Sequence, residues 1–158
     1  MKKIIVVSIL IMNMAFVFGQ KTTLKDYANK EGVSALTISK KMLSFFPKNA
    51  DISYGGINVA QFVDKLTSIN VFAAPNKTVA NELIADAIKF TTIAGYEKLL
   101  ALETKKGEHL NFYIQANEEY ISELILTAQG QSKEGGVVQF IGKFTMEDIQ
   151  QMIATANK

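Results

Sequence analysis

The sequence predicts an α+β domain: a mostly antiparallel sheet with a C-terminal four-stranded meander, and helices packed on one side. Three observations carry this. Apolar residues recur at helical spacing before Gly95 and again after Thr145. Between those points the apolar period falls to two, the mark of half-buried strands. The period-two runs are joined by links too short for the crossovers that parallel neighbours need.

The chain opens MKKIIVVSILIMNMAFVFGQ. Lys2 and Lys3 give a positive start, Ile4 to Phe18 an apolar stretch, and Val17 and Gly19 small residues for a peptidase. This is the pattern of a cleaved signal peptide over residues 1–19, cut between Gly19 and Gln20. The stretch falls short of the roughly 20 apolar residues that a spanning helix needs, and Asn13 interrupts it. Residues 20–32 read as a polar N-terminal segment, either one or two helical turns or a loose arm, and 33–158 as a single domain.

Val33 to Ile38 reads as a short strand, after which Ser39 caps a helix carrying Met42, Leu43 and Phe46 until Pro47 stops it. PKNADISYGG has loop composition. Asn58 opens a second helix, whose Val59, Phe62, Val63 and Leu66 share one face. Ile69 to Ala74 is an apolar, β-branched run ending at Pro75, read as a buried strand. Asn76 or Thr78 caps the longest helix, with Val79, Leu83, Ala87, Phe90 and Ala94 in a stripe and Gly95 at its C-terminal cap.

Tyr96 to Thr104 and Glu108 to Ala116 flank a glycine-containing turn and form a hairpin. Tyr120 to Ala128 and Val137 to Phe144 complete the meander through GQSKEGG. Thr145 and Asp148 form a capping box for a final helix that buries Ile149, Met152, Ile153 and Ala156.

Composition narrows the chemistry. The net charge of +2 resides in Lys2 and Lys3, so the chain after the cut is neutral. That removes the electrostatic drive for nucleic-acid binding and for anionic lipid surfaces. Arginine is absent, and with it the usual fork for carboxylate or phosphate. Cysteine is absent too, which rules out disulfides, thiol nucleophiles, zinc-thiolate sites and a lipoprotein anchor. No cofactor motif and no metal motif is present, and no membrane span is expected after signal cleavage.

Catalytic constellations are equally sparse. The single histidine, His109, shares strand parity with Asn111, Tyr113 and Gln115, opposite the inward row of Leu110, Phe112 and Ile114. It is read as an exposed strand residue, with no oriented partner for general-base work. Ser34 lacks the second glycine of a nucleophile elbow, and Ser39 is a helix cap with Met42 where a serine–lysine motif needs lysine. Glu119 and Glu123 would lie about 13 Å apart on a strand, too far to act as a pair. Asn76 to Thr78 matches a glycosylation sequon but also fits a helix cap.

The second sheet face is the candidate functional surface. With Leu110, Phe112, Ile114, Leu124, Leu126, Val138 and Phe140 pointing inward, the other face carries Tyr113, Ile121, Ile125, Val137 and Ile141, with His109, Asn111, Glu123, Gln139 and Lys143 between them. A half-apolar, half-amide face is either a docking surface, centred on Tyr113, Ile125, Ile141 and Gln139, or a face covered by the N-terminal segment or another helix.

Taken together, YEKLLALETKKGEHLNFYIQ, ISELILTAQG and VVQFIGKFTMEDIQQM resemble the family labelled domain of unknown function 4252. The matching positions are Tyr96 and Glu97, then Gly142, Phe144, Glu147, Asp148 and Ile149, with Ala35 to Leu43 as the strand-to-helix opening. The resemblance implies an exported protein of Bacteroidota-like bacteria and supplies no catalytic residues. The expected function is a non-enzymatic periplasmic or secreted interaction module for an envelope or secreted protein. The alternative is a carrier or sensor of a small apolar ligand held between helices and sheet, and a hydrolase stands behind both.

Overall fold

The computed structural model describes residues 23–54, 56–131 and 134–156. The signal segment and its cut at Gly19 and Gln20 lie outside these residues. In chain order the elements are helix α1 (Leu24–Ala28), strand β1 (Ser34–Ser39), helix α2 (Lys40–Leu43), strands β2 (Ser53–Tyr54) and β3 (Ile57–Asn58), and a 3-10 turn (Val59–Phe62). There follow β4 (Leu66–Ala74), α3 (Lys77–Ile93), β5 (Glu97–Glu103), β6 (His109–Ala116), β7 (Ile121–Gln129), β8 (Gly135–Phe144) and α4 (Met146–Ala156). Six strands make one antiparallel sheet in the order β1-β4-β8-β7-β6-β5, and β2 pairs with β3 in a separate small hairpin. Among the described residues no helix is long and apolar enough to cross a membrane.

The α+β class and the four-stranded meander β5 to β8 match the sequence reading. Alternation along the strands separates two cores. On the first face Ile38, Ile69, Leu110, Phe112, Ile114, Leu124, Leu126, Val138 and Phe140 pack beneath the β2–β3 hairpin, the 3-10 turn and α4. Ile149 and Met152 of α4 are fully enclosed there. On the second face Phe72, Tyr113, Ile125 and Val137 meet Ala80, Leu83, Ala87 and Phe90 of α3 and Leu24 and Ala28 of α1.

Helices therefore lie on both sides of the sheet, not on one, because the alternate residues of β4, β6, β7 and β8 are also apolar at one end. Of the two readings of the N-terminal segment, the short helix is observed over Leu24–Ala28 in place of a loose arm: Leu24 and Ala28 anchor α1 in this second core. Ile121 changes sides relative to expectation. Opposite Gln115 and Ala116 of β6, strand β7 carries an extra residue between Ile121 and Glu123, which reverses strand parity and places Ile121 in the first core.

Local chemistry sets the boundaries. The Asn76 side chain accepts from the Val79 N–H at 3.0 Å to start α3, and Gly95, at φ +77°, turns the chain after it. Asn58 caps a single 3-10 turn, shorter than the predicted helix, because Leu66 already enters β4 opposite Gly142. Gly142 is required there: a Cβ would collide with the Lys65 carbonyl oxygen, which accepts the Lys143 N–H at 3.0 Å. At α4 the Thr145 N–H donates to Asp148 at 2.7 Å and the Asp148 N–H to the Thr145 hydroxyl at 3.2 Å, and Lys65 forms an ion pair with Asp148.

Candidate functional site

Helix α3 roofs only part of the second face. Two cross-strand rows run near the edge of that roof. The first is Thr37, Asn70, Gln139, Ile125 and Tyr113; the second is Ser68, Ile141, Glu123 and Gln115. The Ile125–Tyr113 end of the first row is apolar and sealed in the core around α3, whereas Asn70, Gln139, Glu123, Gln115 and Ile141 floor an open cleft of about 610 Å³. Its walls are Leu24, Lys25 and Tyr27 of α1, Phe90 and Ile93 of α3, and then Ala94 and Tyr96.

The floor is one hydrogen-bonded chain. The Thr37 hydroxyl donates to the Asn70 carbonyl oxygen at 2.9 Å, the Asn70 amide donates to Gln139 at 2.9 Å, and the Gln139 amide donates to the Glu123 carboxylate at 2.7 Å. The Tyr96 phenol donates to the same carboxylate oxygen. Gln115 donates to the Ala94 carbonyl at 3.1 Å, tying the floor to the end of α3. Each polar side chain is thus held by its neighbours, which fixes its direction and leaves no buried side-chain polar atom without a partner among the described residues.

Electrostatics fit this geometry. Burial, and then the bond to Glu123, push the Tyr96 phenol well above its ordinary range, so it stays a neutral donor. Burial alone raises Tyr113. Along one wall Tyr27 and Phe90 stand 5.5 Å apart between ring centres, and Phe90 and Tyr96 5.7 Å, both pairs tilted.

The four residues expected to form a docking surface divide. Half-buried Ile141 and buried Gln139 line the cleft, whereas Tyr113 and Ile125 are buried in the core beneath α3 and border no cleft, so of the four only Ile141 keeps appreciable exposure. The covered-face alternative holds for that half. His109 is exposed on β6, and Ser39 accepts the Met42 N–H at 3.4 Å as a cap. Glu119 lies exposed in the turn before β7, away from the floor where Glu123 sits. Among the described residues no group of three or more acidic or histidine side chains is placed to hold a metal.

Sequence reasoning missed Tyr96, Asn70, Gln115 and the aromatic wall. Asn70 did carry a signal: an amide set inside the apolar run Ile69 to Ala74 must find a polar partner when buried.

A family model described as "Domain of unknown function (DUF4252)" matches residues 27–152. No curated protein and no solved structure gives a significant match to the chain.

Proposed function

This chain belongs to the DUF4252 family, matched from within α1 to within α4, and from that premise we propose that it is an exported, non-enzymatic binding module whose cleft takes a small amphiphilic ligand. One observation carries the reading: an apolar and aromatic wall faces a polar floor whose groups already hold each other in place. Such preorganisation lowers the ordering cost of binding, and a cleft of about 610 Å³ lies in the range of small-molecule sites. Glu123 acts here as an oriented acceptor, held in place by the Tyr96 hydroxyl and the Gln139 amide that donate to it. The first nineteen residues support export to the periplasm or beyond, with Gln20 as the mature N-terminus.

A second reading, docking to an envelope or secreted protein, has its own support. Phe45 is 71% exposed and Met42 is 55% exposed, just after β1.

The test is native mass spectrometry of the protein purified from the envelope of its own host. The binding reading expects a polypeptide starting at Gln20 with a small-molecule adduct, and loss of that adduct in Ala94→Trp, which narrows the cleft. A bare polypeptide mass in both proteins contradicts it.

A further inference from the structure

Glu123 is the charged group on the cleft floor, and its bonding partners are neutral: the Gln139 amide and the Tyr96 phenol. The ion pairs among the described residues join Lys30 to Asp86, Lys48 to Asp64 and Lys65 to Asp148, and Glu123 takes part in none. Glu123 is half-buried as a residue, and a counter-charge is worth more there than in open water. Three aromatic rings, Tyr27, Phe90 and Tyr96, line the same space, and their negative faces attract cations. Lys25 is the lysine on the wall, but it is exposed on α1, where water and salt screen it.

Resting on the binding-cleft reading above, we propose that the occupant carries an ammonium group, a primary or quaternary amine on an apolar body. The ammonium sits against Glu123 and among Tyr27, Phe90 and Tyr96, and the apolar body lies along Ile93, Ala94 and Ile141. An anionic ligand would instead meet the Glu123 carboxylate without a cationic side chain on the floor to receive it. A neutral one would leave the floor's charge uncompensated.

The experiment titrates the mature chain, from Gln20, with hexyltrimethylammonium, 1-hexanol and hexanoate. The side-chain amide resonances of Asn70, Gln115 and Gln139 report occupancy. The cation should bind about tenfold or more tighter than the alcohol, with affinity falling as salt rises, and hexanoate should bind worst. Glu123→Gln should bring the cation down to the alcohol's affinity, circular dichroism confirming the fold; an unchanged preference in the folded variant overturns the inference. If that variant does not fold, the three probes on the unaltered protein still decide. Equal binding of cation and alcohol, or tighter binding of hexanoate, overturns the ammonium inference and leaves the cleft reading standing. Silence with all three probes removes both.

Discussion

Strands β4, β7 and β8 present two unlike surfaces from alternate residues. Leu124, Leu126, Val138 and Phe140 build a dry core sealed by α4 and the β2–β3 hairpin, whereas Asn70, Glu123 and Gln139 on the opposite side build a polar floor that α3 leaves uncovered. Both are ordered, by different means. The first side is fixed by shape and exclusion of water; the second has its own apolar core under α3, and its uncovered part is fixed by a chain of directional bonds from Thr37 to Tyr96. Burying an apolar row contributes stability, while a satisfied polar row contributes little net stability but costs much if one member is lost unreplaced. On the function proposed above, the sealed core supplies stability and the uncovered cleft supplies the binding site.

The sharpest way to break this contrast is to damage the sealed face. Phe140 is fully buried, and Phe140→Ala should cost about 3–5 kcal/mol in a urea melt through lost packing and a cavity. Gly142→Ala should cost about 2 kcal/mol, because the new methyl group must displace the Lys65 backbone from β8.

Asp148→Ala removes the capping partner of Thr145 and the acceptor for Lys65, with an expected loss of about 1–2 kcal/mol in the same assay. Burial pulls the Asp148 carboxyl upward, but the bonds from Lys65 and Thr145 outweigh it and hold the group below its usual range. Its contribution is therefore complete above the unfolded value of about 3.9 and is lost as the pH falls through the lower folded value. Asp148→Asn should accordingly flatten the acid limb of the stability curve, read by thermal melts from neutral pH downward.

On the open face, Glu123→Gln keeps an oxygen to accept from Tyr96 and Gln139, so stability should change by about 1 kcal/mol or less while ligand affinity falls. Phe45→Ser is the smallest expected effect. The exposed ring contributes within about 0.5 kcal/mol to folding, and its loss should show only in a partner-binding assay.

Much of the sealed face was legible in the sequence. Period-two rows such as Leu110, Phe112 and Ile114 determine which residues point together, and Thr145 with Asp148 marks the start of α4. The open face was legible only in part. Gln139 and Ile141 followed from parity, but Tyr113 and Ile125 share that parity and are covered, since nothing local specifies where α3 lands on the sheet. Ile121 escaped because a bulge breaks parity without a glycine to announce it. Tyr96 read as the first residue of a strand. Its meeting with Glu123, 27 positions away, arises from the turn after Gly95 and the stacking of β5, β6 and β7.

The central claim is that the proposed small-molecule binding belongs to the open cleft and not to the sealed face. A two-dimensional NMR titration of the mature chain with a small-molecule extract of its own envelope tests it directly. The account predicts that the side-chain amides of Asn70, Gln115 and Gln139 shift while the methyl groups of Leu110, Leu126 and Val138 stay still. Shifts confined to the sealed face, or to neither face, would contradict it.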